Sequence, residues 1–92
     1  MFDKKEDKVS AERKQAIFLK VRSILAQQLK VNEDKITLAS FVTEDLGADS
    51  LDATEIIMDL ETEFNLEILD TEAEKIKTVE DIVTYLAGRF KQ

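Results

Sequence analysis

Apolar residues recur along most of this chain at the three- and four-residue spacing of amphipathic helices. The first such segment is predicted to begin with Ser10 as its N-cap and to end near Leu29 or Lys30. A polar connection over residues 31–48 follows, and its apolar side chains can pin it onto a core, which argues against disorder. The apolar residues are Ile17, Val21, Ile24, Leu25 and Leu29 in the helix, and Ile36, Leu38, Phe41, Val42 and Leu46 in the connection.

Three more helices are predicted after this connection. The second covers about residues 50–63, and a short third helix covers residues 70 or 71 to about 76. The fourth begins at Thr78, where Asp81 three residues on gives a weak form of the capping box. The pattern therefore predicts an all-α fold, a four-helix bundle of three long helices and one short one, with a long loop between helices 1 and 2.

The chain has 92 residues, which suits a single domain over residues 1–92 with a flexible, solvated N-terminal extension at 1–9. It contains no cysteine, so the sequence offers no disulfide, no thiolate zinc site and no thiol nucleophile. No apolar run approaches the roughly 18 residues of a membrane span, and the charged N-terminus does not resemble a signal or transit peptide. We expect a monomer in the reducing cytoplasm, without membrane insertion.

The net charge of −7 is distributed unevenly along the chain. Residues 36–74 contain twelve acids and no Lys or Arg, whereas the segments on both sides carry a small positive charge. Such a segment repels nucleic acid phosphates and suits basic protein surfaces or cations, so we expect no nucleic acid partner. A solvated acidic face without a partner is the alternative. A calcium sensor is disfavoured, because no segment has the D-x-[DN]-x-[DN]-G loop with its closing Glu.

Ser50 stands among carboxylates in the stretch LGADSLDATEIIMDL, at the predicted start of the second helix. Gly47 can adopt a positive φ and turn the chain, Asp49 is then a good N-cap, and Asp52 occupies the third helical position. Ser50 becomes the first helical residue, where its side chain points outward and free N–H groups favour a phosphate. The chain has no histidine to activate a serine nucleophile. Ser50 is therefore either part of the helix cap or a residue that another enzyme modifies.

The helix after Ser50 carries a stripe of acids on the face predicted to point away from the core. Like charges at this spacing cost about a few tenths of a kcal/mol per pair. A sequence that served stability alone would more often intersperse lysines among them. The stripe consists of Asp52, Glu55, Asp59 and Glu63.

The motif DSL at residues 49–51, within LGADSLDATEIIMDLETEF and followed by AEKIKTVEDIVTYL, resembles the acyl carrier protein family over about residues 10–90. In that family the serine receives 4'-phosphopantetheine from coenzyme A through a separate carrier protein synthase, a phosphopantetheinyl transferase. The thiol of this arm carries acyl chains as thioesters between enzymes of fatty acid synthesis. The resemblance implies that Ser50 is the attachment site and that the chain is a carrier rather than an enzyme, with no catalytic residue and no metal. The family fold, a four-helix bundle with a long first loop, agrees with the helices predicted above.

The resemblance also implies a docking surface and a shelter for the acyl chain. Basic patches on the synthase, on fatty acid synthesis enzymes and on acyltransferases recognise the second helix of the family. The implied docking residues are Asp49, Asp52, Glu55 and Asp59, with Glu61 and Glu63 as weaker candidates. The implied lining of the acyl chain, between the second helix and the rest of the bundle, is Phe41, Ile56, Leu60, Ile76 and Tyr85. For any one of these lining residues, ordinary core packing is the more common explanation.

Two positions depart from the family pattern. Asp59 stands where the family commonly has a small apolar residue, and Leu69 stands where a proline often precedes the third helix. Two alternative functions remain open. One is a carrier of aminoacyl, peptidyl or D-alanyl groups, a class that more often has a different residue before the serine and a less acidic second helix. The other is an acidic helical adaptor that is never modified.

Overall fold

The computed structural model describes residues 2–89 of the chain, with side chains from Glu12 onward. Its helices are α1, Phe2–Leu29; α2, Ser50–Phe64; α3, Asp70–Ala73; and α4, Val79–Arg89. A 3-10 turn, Glu33–Lys35, lies in the loop between α1 and α2. Across residues 2–89 there is no β-strand, and the predicted fold of three long helices and one short one is confirmed.

The first helix, α1, begins well before its predicted start. It runs from Phe2, so Ser10 lies inside the helix, and the prediction of Ser10 as the N-cap is wrong. Residues 2–9, which were expected to form a flexible extension, continue the helix. The helix contains no proline or glycine and is rich in Lys, Ala, Leu and Gln, which favour helix, so nothing in the sequence confines its start to Ser10.

The third helix, α3, is shorter than predicted, because it ends at Ala73 rather than near Ile76. The Ile76 N–H donates to the Ala73 carbonyl at 3.1 Å, a bond of the tighter 3-10 type. The chain then reaches Lys77, whose carbonyl accepts a hydrogen bond from the Val42 N–H at 3.0 Å. Just after α3, the chain is therefore paired with the loop between α1 and α2.

The hydrophobic core lies between α1 and the two other long helices. The side chains with the least exposure are Val21 and Leu25 of α1, Leu60 of α2, and Val79 and Leu86 of α4. Ile36 and Leu46 of the loop are also buried, as their apolar character predicted. Burial of these side chains is the main term that stabilises the bundle.

Backbone hydrogen bonds hold the long loop against the start of α4. The Val79 N–H donates to the Ser40 carbonyl at 3.0 Å, and the Glu80 N–H donates to the Leu38 carbonyl at 2.9 Å. Ser40 is buried, and its hydroxyl accepts a hydrogen bond from the Thr37 N–H at 3.1 Å. Since buried backbone groups need partners, these bonds allow the loop to pack on the core and fix the path that leads into α2.

The predicted cap of α4 is confirmed. The Thr78 hydroxyl accepts a hydrogen bond from the Asp81 N–H at 3.1 Å. In return, one carboxylate oxygen of Asp81 accepts hydrogen bonds from the N–H groups of Lys77 and Thr78, both at 3.0 Å. These donors favour the charged form of the carboxylate, and they lower the pKa of Asp81.

Asp81→Ala is expected to lower the free energy of unfolding by about 1–2 kcal/mol, because two N–H groups at the start of α4 lose their acceptor. Since folding lowers the pKa of Asp81, this contribution is present above the ordinary carboxyl pKa and is lost as the pH falls through the lowered value. Urea unfolding of the parent and the variant between about pH 7 and pH 3 measures it. The difference between the two proteins should shrink at the acidic end, and a constant difference would contradict the assignment.

The acidic segment of residues 36–74 has few ion pairs. Of its twelve acids, two lie within 4.0 Å of a base in the described part of the chain: Glu63 at 3.0 Å from Lys20, and Glu72 at 4.0 Å from Arg89. Self-repulsion among the other carboxylates destabilises the folded state, and added ions screen it because the Debye length is only about 8 Å at physiological salt.

The melting temperature is therefore expected to rise with added sodium chloride and with millimolar divalent cations. Circular dichroism during heating, over a series of salt concentrations, measures the effect. A melting temperature that responds to neither addition would mean that repulsion among these carboxylates does not destabilise the fold.

Candidate functional site

A tight turn lies immediately before the start of α2. Gly47 has a φ of +81°, as predicted, and this is a backbone conformation that residues with a Cβ rarely adopt. Leu46 and Ala48 on either side are buried, and the Gly47 N–H donates to the Thr43 carbonyl at 3.1 Å. The turn and its two anchors therefore fix where α2 begins.

The predicted cap of α2 is confirmed. The Asp49 carboxylate accepts a hydrogen bond from the Asp52 N–H at 2.8 Å, and the Asp52 carboxylate accepts one from the Asp49 N–H at 3.3 Å. Both carboxylates lie at the positive end of the helix dipole, which they complement. Asp49 is the N-cap, so Ser50 is the first residue of the helix.

Ser50 is exposed at this helix start. Its hydroxyl forms no hydrogen bond with any residue that the structure describes, and the chain has no histidine that could serve as its base. One turn further along α2, the Thr54 hydroxyl donates to the Ser50 carbonyl at 3.0 Å. An exposed hydroxyl beside the N–H groups of a helix start is suited to carry a phosphate ester, because the helix dipole favours the added negative charge.

An open cleft of about 520 Å³ begins one turn along α2 from Ser50. A row of residues four apart forms its α2 side, with apolar side chains first and a carboxylate last. Because the lining is mostly apolar, the cleft is suited to an apolar chain attached at Ser50. The row consists of Ala53, Ile57 and Glu61, and the lining from the loop and the α3 region includes Val42, Ile68, Ala73 and Ile76.

The predicted lining of an acyl chain is only partly found at this cleft. Ile56 and Ile76 line it, and their contact with a bound chain stays a prediction. Leu60 does not line the cleft: it has 0% exposure inside the core, on a different face of α2. Phe41 does not line it either; this residue is 42% exposed, and its backbone pairs with Thr78.

Tyr85 is likewise absent from the cleft and belongs to a polar network that ties α4 to the α3 region. Its hydroxyl donates to a Glu72 carboxylate oxygen at 2.6 Å, and Arg89 donates to the Tyr85 hydroxyl at 2.6 Å and to the Glu67 carbonyl at 3.0 Å. The Tyr85 hydrogen bond lowers the pKa of Glu72, whereas burial and the Glu72 carboxylate raise the pKa of Tyr85. Tyr85 thus positions a wall of the cleft without lining it, and its contact with an acyl chain stays a prediction.

The sequence prediction missed Ala53 and Ile57, which line the α2 side of the cleft together with the predicted Ile56. Their spacing of four, which continues to Glu61, marks a second row on α2 beside the row of Ile56 and Leu60. That spacing was visible in the sequence. What the sequence did not show is that the α3 region stands opposite this second row and makes it the wall of a cleft.

The acidic stripe of α2 lies along the edge that borders α1, rather than pointing away from the rest of the bundle. Glu55 accepts a hydrogen bond from the side-chain amide of Gln28, and Glu63 forms an ion pair with Lys20 at 3.0 Å. Asp59 is exposed between them. The stripe therefore combines contacts to α1 with carboxylates that remain accessible to a partner.

Comparison with known proteins identifies the family. A family profile described as "Phosphopantetheine attachment site" matches residues 19–86. The chain is 49% identical over 76 residues to an acyl carrier protein of Bdellovibrio bacteriovorus, an alignment that covers 83% of this chain and 97% of that protein. The chain belongs to the acyl carrier protein family.

Two further acyl carrier proteins agree with this assignment. The protein of Campylobacter lari is 48% identical over 76 residues, which cover 83% of this chain and 99% of that protein. A solved structure from Mycobacterium tuberculosis, described as an acyl carrier protein, has a TM-score of 0.75 and 32% sequence identity, and the match covers 80% of this chain and 99% of that chain.

Membership in the family identifies the cofactor and the cargo. The protein carries acyl chains on a 4'-phosphopantetheine arm, and the family consists of carriers rather than catalysts. Shuttling of intermediates between fatty acid synthesis enzymes is typical of proteins with this name. The residues fit the cofactor, because an exposed hydroxyl at a helix start adjoins an apolar cleft. Within residues 2–89, no helix combines the length and apolar character needed to cross a membrane.

Proposed function

We propose that Ser50 carries the 4'-phosphopantetheine arm and that a carrier protein synthase attaches it from coenzyme A. The observation that supports this choice is accessibility. The region matched by the family profile, residues 19–86, contains the serines Ser23, Ser40 and Ser50. Ser40 is buried and Ser23 is half-buried in the middle of α1, whereas Ser50 is exposed at a helix start.

In the attachment reaction the Ser50 oxygen bonds to the pantetheine-side phosphorus of coenzyme A, the phosphoanhydride bond breaks, and adenosine 3',5'-bisphosphate leaves. The hydroxyl proton passes to a base of the synthase, since this chain has no histidine to accept it. The start of α2 favours the charge of the resulting phosphodiester, and the Asp49 cap holds that start in place. Once attached, the arm supplies a thiol that carries acyl groups as thioesters. The protein alone is expected to show no hydrolase or transferase activity.

Incubation with coenzyme A and a carrier protein synthase tests this function. We expect the intact mass to increase by one phosphopantetheinyl group. Absence of any increase would contradict the proposed function and would favour an unmodified adaptor. Loading with acyl, aminoacyl and D-alanyl groups would then distinguish the carrier classes that share this arm.

We propose that the synthase, fatty acid synthesis enzymes and acyltransferases dock through basic patches on the acidic edge of α2. The residues proposed for this surface are Asp49, Asp52, Glu55 and Asp59. Asp49 and Asp52 also cap the helix, and Glu55 is hydrogen-bonded to Gln28. Asp59 is exposed, and its carboxylate has no bond to the residues that the structure describes. It is therefore the position at which a charge can be changed with the least effect on the fold.

Asp59→Lys is expected to slow attachment of the arm about fivefold at low salt, because an exposed charge acts mainly on the rate of encounter with a basic partner. The variant should be at least as stable as the parent, since Lys favours helix and relieves repulsion with Glu55 and Glu63. Attachment rates over a salt series measure the effect. Glu12→Lys, the same reversal of charge at an exposed position of α1, is the control, and equal rates for the two variants at low salt would remove Asp59 from the docking surface.

A further inference from the structure

Among the residues that the structure describes, the cleft beside Ser50 is lined by negatively charged side chains and by no positively charged ones. Its described lining includes the carboxylates of Glu61, Asp70 and Glu74 and no Lys or Arg. The helix α2 has its positive end at Ser50 and its negative end at Phe64, and its last turn contains no basic residue to offset that negative end. An acyl chain that enters the cleft from Ser50 therefore extends toward an increasingly negative environment.

Glu61 is held in place at this negative end. One of its carboxylate oxygens accepts a hydrogen bond from the Ile68 N–H at 2.8 Å, and the side chain is half-buried. Glu61 was predicted as a weaker docking residue, but its carboxylate lines the cleft, whereas the acidic stripe runs along the α1 edge of the same helix. This position separates Glu61 from the acidic stripe.

We propose that the cleft accepts acyl chains with an uncharged end, that it excludes chains that end in a carboxylate, and that Glu61 is the main residue that determines this specificity. The proposal rests on the proposed attachment of the arm at Ser50. An uncharged end gains free energy when it leaves water and contacts apolar residues such as Ile57 and Ile68. A carboxylate would lose its hydration next to a fixed negative charge, with no cation in the lining to compensate, so it stays in solvent.

Three acyl forms of the protein test this proposal. The arm is loaded with an octanoyl group, with an eight-carbon chain that ends in a carboxylate, or with the methyl ester of that second chain. We expect the octanoyl and ester forms to melt roughly 5 °C higher than the protein with an unloaded arm, and the carboxylate form to show no rise. The ester separates the effect of charge from that of chain length.

Two variants assign the effect to a residue. Glu61→Gln removes the charge but keeps an oxygen that can accept from the Ile68 N–H, and it is expected to restore most of the rise for the carboxylate form. Glu63→Gln removes the same charge from the same turn of α2 on its α1 side, and it is expected to restore none. If Glu61→Gln does not fold, the parent is measured in about 1 M salt instead. The Debye length of about 3 Å weakens the repulsion between Glu61 and the carboxylate of the chain, so part of the rise in melting temperature should return.

Each outcome supports or overturns the proposal. Equal melting temperatures for all three loaded forms would overturn the selectivity, and no rise with octanoyl would overturn entry into the cleft. The role of Glu61 would be overturned if Glu61→Gln and Glu63→Gln restored the melting temperature of the carboxylate form equally. It would also be overturned if neither Glu61→Gln nor about 1 M salt restored any of that rise. Intact mass distinguishes these results from failure of the proposed function: a protein that accepts no arm refutes both proposals, whereas a loaded protein without selectivity refutes this one alone.

Discussion

Ser50→Ala is expected to abolish attachment of the phosphopantetheine arm, because Ser50 is the exposed serine at a helix start within the family match. The variant should fold like the parent, since Asp49 rather than Ser50 caps α2 and Ala is the best helix former. After incubation with coenzyme A and synthase, intact mass should show one added group on the parent and none on the variant.

Ser23→Ala is the matched control for this experiment. It removes the same hydroxyl from a half-buried position of α1, and it is expected to leave attachment unchanged. A Ser50→Ala protein that still gains one group would place the arm on another residue and contradict the proposed site.

Leu60→Ala is expected to lower the free energy of unfolding by about 3 kcal/mol, the largest effect on stability in this account. Leu60 has 0% exposure, so its truncation leaves a cavity between the helices as well as losing buried apolar surface. A small domain has a total stability near the low end of about 5–15 kcal/mol, so the variant should lose a large share of it.

Urea unfolding compares this variant with Leu51→Ala, the same substitution on the same helix. Leu51 is 66% exposed, and its truncation is expected to change the free energy of unfolding by no more than about 0.5 kcal/mol. Similar losses for the two variants would contradict the placement of Leu60 in the core. They would also favour the original prediction that Leu60 lines a space for the acyl chain.

The features that could be predicted from the sequence depend on residues close together in the chain. The caps formed by Asp49 with Asp52, and by Thr78 with Asp81, involve positions three apart, so spacing alone identifies them. The positive φ of Gly47 follows from its freedom to adopt that conformation in a turn before a helix. These local signals located the start of α2 and therefore the candidate site.

The features that were missed depend on contacts between distant segments. Ile57 lies in the wall of an open cleft because the α3 region stands opposite it, and its position next to Ile56 in the sequence does not reveal this. The end of α3 near Ala73 is tied to the pairing of Lys77 with Val42, more than thirty residues away in the chain. Composition and periodicity carry no information about such long-range contacts.

The sequence also did not show which neighbours the acids of α2 contact. The spacing of its acids identified a stripe, but not that Glu55 and Glu63 contact α1 while Glu61 turns toward the cleft. One helix therefore presents carboxylates to two sides of the bundle. On the proposals above, one side serves recognition by basic enzymes and the other limits which acyl chains can be sheltered.

Fragmentation of the tryptic peptide of residues 36–75 directly tests whether the phosphopantetheine arm is attached to Ser50. The peptide is uninterrupted because residues 36–74 contain no Lys or Arg, and it includes both Ser40 and Ser50. After modification with coenzyme A and synthase, we expect the fragment masses to place one phosphopantetheinyl group on Ser50 and to leave Ser40 unmodified. A group located on Ser40, on a threonine, or outside this peptide would contradict it.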